Sequence, residues 1–150
     1  MKKIILLIII FCSISIISAQ NTDNILKISF NDFFDKDTIS LGINRNKIIN
    51  GLVITSRKSI GFADLDVTVT DCNKVKIYNK LIVSGQSTVS NKEIKLKYTL
   101  KLKSKVNIFL TLNGEKQKFV IDVKKGKYIG LNKNKDRFEL SQSQYPFEYD

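Results

Sequence analysis

The chain has 150 residues, with 25 Lys or Arg against 14 Asp or Glu, a net charge of +11, and 43% hydrophobic residues. Seven glycines, one proline and an ordinary apolar share exclude a low-complexity or disordered chain, and the length is that of one domain. The absence of histidine excludes Ser-His-Asp and Cys-His nucleophile systems and His-ligated zinc.

Met1-Lys2-Lys3 is a short positive head. The run from Ile4 to Ile17 is apolar except for Cys12, Ser13 and Ser15, and Ser18-Ala19-Gln20 supplies small residues after it. This three-part pattern predicts a helical signal peptide over 1–19, cut after Ala19, and a β-domain over 20–150. A retained anchor would need about 20 apolar residues to span a bilayer, and this run is shorter. A lipoprotein would need a small residue before Cys12, where Phe11 stands. Cleavage would remove Lys2 and Lys3, lowering the net charge from +11 to +9, and would leave Cys72 with no internal disulfide partner. The expected location is therefore outside the inner membrane: periplasm, outer surface or medium.

Beyond the leader, apolar residues recur every second position. Ile39, Leu41 and Ile43 alternate with Thr38, Ser40 and Gly42, and Leu65, Val67 and Val69 with Asp64, Asp66 and Thr68. The same holds for Val75 and Ile77, for Ile94 through Leu102, for Ile108, Leu110 and Leu112, and for Phe119, Ile121 and Val123. Alternation puts one face of each strand on a core and the other in water. Turn chemistry separates the runs at Asn44-Arg45-Asn46, Asp71-Cys72-Asn73, Ser84-Gly85-Gln86, Ser90-Asn91 and Asn132 to Asp136. Asn113-Gly114 is the strongest hairpin signal, because both residues accept the positive φ of a type I′ turn. About ten short strands follow, an all-β chain folded as an antiparallel sandwich, with almost no helix.

Three groups of residues carry candidate chemistry. Lys95, Lys97, Lys101, Lys103 and Lys105 fall on one face of a run, about 6.8 Å apart per pair of positions. Lys74 with Lys76 and Lys116 with Lys118 repeat the spacing. On a shared sheet these nine lysines would form a cationic surface for acidic glycans, lipopolysaccharide or an acidic protein. Lysine also suits any solvated strand and discourages edge aggregation. The 22 Lys and 3 Arg argue against specific nucleic-acid readout, since phosphate recognition favours the Arg fork. Asp32, Asp35 and Asp37 form an acidic loop that could offer calcium its oxygens, although the spacing is not that of an EF-hand and such residues also build turns. No other cofactor is expected. Asp64 and Asp66 are the only pair suited to enzyme work, as a carboxylate-only glycoside hydrolase, which needs two carboxyls about 5–9.5 Å apart. Trp is absent, and the chain is expected to bind rather than catalyse. The aromatic tail from Gln144 to Asp150 offers an alternative role, as the docking element of an accessory subunit in an envelope complex.

The stretch from Asp35 to Asn44 with Lys47-Ile48-Ile49, then Lys125 to Gly130 and Pro146 to Asp150, resembles small exported bacterial proteins built on an immunoglobulin-like β-sandwich. The glycine of their Asn-Gly hairpin is replaced here by Arg45. The resemblance implies that sandwich fold and export. It implies no activity and no functional residue.

Overall fold

The computed structural model describes residues 24–57, 62–70, 74–83, 86–97 and 105–148. The expected leader with its Ala19 cut, Cys72, and Lys101 with Lys103 lie outside the described residues.

The described chain is nearly all β. Its strands are β1 (Asn24–Phe30), β2 (Asp37–Ile43), β3 (Asn46–Ile54), β4 (Leu65–Thr70), β5 (Lys74–Val83), β6 (Gln86–Lys95), β7 (Lys105–Leu112), β8 (Glu115–Asp122), β9 (Tyr128–Asn134) and β10 (Arg137–Ser143). A 3-10 turn over Val123–Lys125 joins β8 to β9. They form a six-stranded sheet, β10-β9-β1-β4-β5-β6, and a four-stranded sheet, β3-β2-β7-β8.

Alternation explains why the two sheets close on one another. On β7, Val106, Ile108, Leu110 and Leu112 are at most 1% exposed, while Lys105 before them and Phe109 among them face solvent. Leu26, Ile28 and Phe30 of β1 and Leu65, Val67 and Val69 of β4 meet them in one continuous core. Each such side chain contributes about 1.5–3 kcal/mol by leaving water. Phe30, Phe34 and Phe138 close one end of that core, with ring centroids 6.0 to 6.2 Å apart. Gln117 on β8 ties the edges together: its Oε1 accepts the Phe138 N–H of β10 at 2.6 Å.

Three expectations need correction. The sandwich is not wholly antiparallel, because β1 runs parallel to β9. β1, the first described strand, sits inside the sheet between β9 and β4. The Ser90-Asn91 turn does not occur: both residues lie within β6, opposite Asn79 and Tyr78. A ladder with β5 over ten residues outweighs the local preference of Ser and Asn for turns. Finally, Asn46 belongs to β3, so the first hairpin turns on Asn44 and Arg45 alone.

Candidate functional site

Asp37 opens β2 with its side chain inward and is 2% exposed. Lys133, on β9 of the opposite sheet, donates to its two carboxylate oxygens at 2.8 and 2.9 Å. Asn113 Nδ2 donates to Oδ1 at 2.6 Å, and the Asp35 N–H donates to Oδ2 at 2.8 Å. Burial pushes the Asp37 carboxyl up, but these donors and the Lys133 charge outweigh it and hold it below the ordinary carboxylate range. Asn113 also accepts the Thr38 N–H at 2.8 Å, so the hairpin turn itself carries the clamp. Asp32 accepts the N–H of Phe33 at 2.7 Å, a local turn bond, and Asp35 is exposed. A calcium ion bound by Asp32, Asp35 and Asp37 would compete with the Lys133 ammonium. Among the described residues, no three His, Cys, Asp or Glu side chains gather closely enough to hold a metal.

Asp64 and Asp66 do not share a strand face. Asp64 lies in the bend before β4 with φ at 51°, where Arg57 Nη2 donates to Oδ1 at 2.7 Å and Nε stands 2.7 Å from Oδ2. Asp66, on β4, pairs with Lys27 of β1 at 2.9 Å. Each carboxylate is engaged by its own basic side chain.

The structure divides the lysines between opposite sides of the sandwich, which corrects the expectation of one shared surface. Lys74 and Lys76 on β5 and Lys95 on β6 belong to the six-stranded sheet, and Lys97 is exposed just past β6. Lys105 on β7 and Lys116 and Lys118 on β8 belong to the four-stranded sheet. Alternation reveals which side a residue faces but not which sheet its strand joins.

The outer face of the six-stranded sheet carries two ion pairs. Lys74 stands opposite Lys95, and Glu93 relieves the repulsion by bridging Lys74 at 2.8 Å. That hydrogen bond holds the Glu93 carboxyl below its usual range. Lys76 lies opposite Glu93, and Lys27 neutralises Asp66. The tail lies on this face too. A Cβ on Gly130 would stand 2.7 Å from Ser141 Oγ, 2.8 Å from Asn31 Nδ2 and 3.2 Å from the Phe147 ring.

The outer face of the four-stranded sheet differs. The registers align Lys47 of β3, Gly42 of β2, Phe109 of β7 and Lys118 of β8 in one row across it. Ser40, Thr111 and Lys116 form the next row, and Lys105 stands opposite Asp122 at the end. Phe109 is 42% exposed and Val120 58%. The Lys118 ammonium lies 5.6 Å from the centroid of the Phe109 ring. Among the described residues no carboxylate lies within 4.0 Å of Lys47, Lys105, Lys116 or Lys118. Asp122 accepts the Lys124 N–H at 3.1 Å instead. Beside this face a polar cleft of about 600 Å³ opens between Asn113, Lys116, Asp136 and Arg137.

Lys47, Gly42 and Phe109 were not among the sequence candidates, yet two-residue turns imply each half of the row. A turn at Asn113-Gly114 places Phe109 opposite Lys118, and one at Asn44-Arg45 places Gly42 opposite Lys47. The β2–β7 pairing that joins the halves is long-range and has no local signal. No protein-family model, characterised protein or solved structure matches the chain.

Proposed function

We propose that the protein is an exported, non-catalytic interaction module with an immunoglobulin-like sandwich, which binds acidic polymers through the outer face of its four-stranded sheet. One observation carries this reading: Lys47, Lys105, Lys116 and Lys118 share a face on which Asp122 stands opposite Lys105, and no described carboxylate lies within 4.0 Å of any of their ammoniums. Like charges left unpaired on a low-dielectric wall raise the local potential and draw in polyanions. On β5 and β6, Lys74 is already ion-paired with Glu93, which Lys76 faces across the ladder.

A salt titration of binding to heparin, lipopolysaccharide and duplex DNA tests the reading. Affinity should fall steeply with ionic strength, as counterion release requires. Affinity indifferent to salt would contradict it.

A second reading, an accessory subunit docking through its tail, draws support from Tyr145, which is 75% exposed while Phe147 packs near Gly130. Pull-down with and without residues 144–150 separates the two.

A further inference from the structure

The four-stranded face offers more than charge, and its chemistry narrows the class of polymer. In the row Lys47, Gly42, Phe109, Lys118, an exposed aromatic ring lies beside a position with no side chain, with a cation at either end. Three strand spacings of about 4.8 Å separate the two lysine backbones, roughly 14 Å in all. A Cβ on Gly42 would meet Asn46 O at 3.5 Å and Phe109 Cβ at 3.6 Å, ordinary contact distances. The floor beside the ring is thus open because Gly42 leaves it open, not because the backbone forbids a side chain there.

A flat ring flanked by cations fits a polymer of flat rings that bear anions. The geometry points to an acidic polysaccharide, one sugar ring lying over Gly42 against Phe109 while its carboxylates or sulfates meet Lys47, Lys116 and Lys118. Pyranose rings present apolar C–H faces that pack on an aromatic ring, and the aromatic quadrupole favours the electropositive hydrogens. Polyphosphate supplies the charge but has no ring to place. Single-stranded nucleic acid stacks successive bases on successive aromatics, whereas Phe109 is the one aromatic on the outer face of these four strands. The cations in those strands are all Lys, without the Arg fork that suits phosphate. This inference rests on the proposed polyanion reading and adds the ring-stacking element to it.

The test compares four probes at one low ionic strength: polygalacturonate, heparin, polyphosphate and oligo-dT. The proteins are the parent chain, Phe109→Ala, Gly42→Val, Gly42→Ala and Lys116→Ala, each checked for folding by thermal unfolding. Phe109→Ala and Gly42→Val should each weaken polygalacturonate and heparin about tenfold and polyphosphate less than twofold. Lys116→Ala should weaken all the polyanions it binds. If Gly42→Val does not fold, Phe109→Ala alone decides, with Gly42→Ala expected to fold and to bind like the parent. Equal losses on polyphosphate, glycan affinity unmoved by Phe109→Ala, or oligo-dT bound tighter than both glycans would overturn the inference. In the first two cases the charge-based reading would stand. No binding to any of the four probes would overturn that reading and this inference together.

Discussion

The two outer faces of the sandwich carry similar numbers of lysines and treat them differently. On the six-stranded side, Lys27 meets Asp66 and Lys74 meets Glu93, and the tail brings Phe147 over Gly130. On the four-stranded side, Lys47, Lys105, Lys116 and Lys118 surround Phe109 and Val120 with no described carboxylate within 4.0 Å of their ammoniums. Where a lysine has a carboxylate beside it, both charges are satisfied within the face. A face that leaves them unmatched stores repulsion that an anionic partner would relieve. Lysine count alone is therefore a poor guide to a binding surface; the pairing of each lysine decides.

The Asp37–Lys133 clamp joins the two sheets that carry these faces. Lys133→Met would leave the buried Asp37 carboxylate without its cation and should cost roughly 3 kcal/mol in urea unfolding. Asp37 also sets a pH dependence. Its folded pKa is depressed, so the clamp stabilises fully above the ordinary carboxylate value of about 3.9 and is lost as pH falls through the lower folded value. Asp37→Asn, neutral at every pH, should lose less stability than the parent on acidification from about pH 5 to pH 2.

The next expected effect lies on the six-stranded face. Gly130→Ala would press a methyl group against Asn31, Ser141 and Phe147, and should destabilise by about 1–2 kcal/mol. It should also free the tail to limited proteolysis, whereas Gly42→Ala, with room for its methyl, should do neither. The smallest effect sharpens the contrast most. Exposed Lys116→Glu should leave stability within about 0.5 kcal/mol or raise it slightly at low salt, because it puts a negative charge among lysines. Lys27→Ala, which strands the half-buried Asp66, should lower it by about 1 kcal/mol.

Much of this fold is legible in the sequence, because burial dictates alternation. The inward residues of β2, β4 and β7 and the Asn113-Gly114 turn, with φ of 49° and 98°, follow from pattern and turn chemistry alone. What escaped was whatever depends on distant partners. Ser90 and Asn91 read as a turn until β5 pairs with them. The parallel β1–β9 ladder joins segments about a hundred residues apart, and no local rule predicts it. Among the described lysines of the expected site, the outward direction was legible and the sheet was not, so a single expected surface became two. The Asp32, Asp35 and Asp37 loop looked uniform in sequence, yet only Asp37 starts a strand and faces the core.

The most direct test of the account compares charge reversal on the two faces. Heparin affinity would be measured across a salt series for Lys116→Glu/Lys118→Glu and for Lys74→Glu/Lys76→Glu. The first pair should abolish most binding and flatten the dependence on log salt by about two units, while the second leaves affinity within a fewfold of the parent. Equal losses from both pairs, or a larger loss from the β5 pair, would contradict the claim that the four-stranded face is the binding surface.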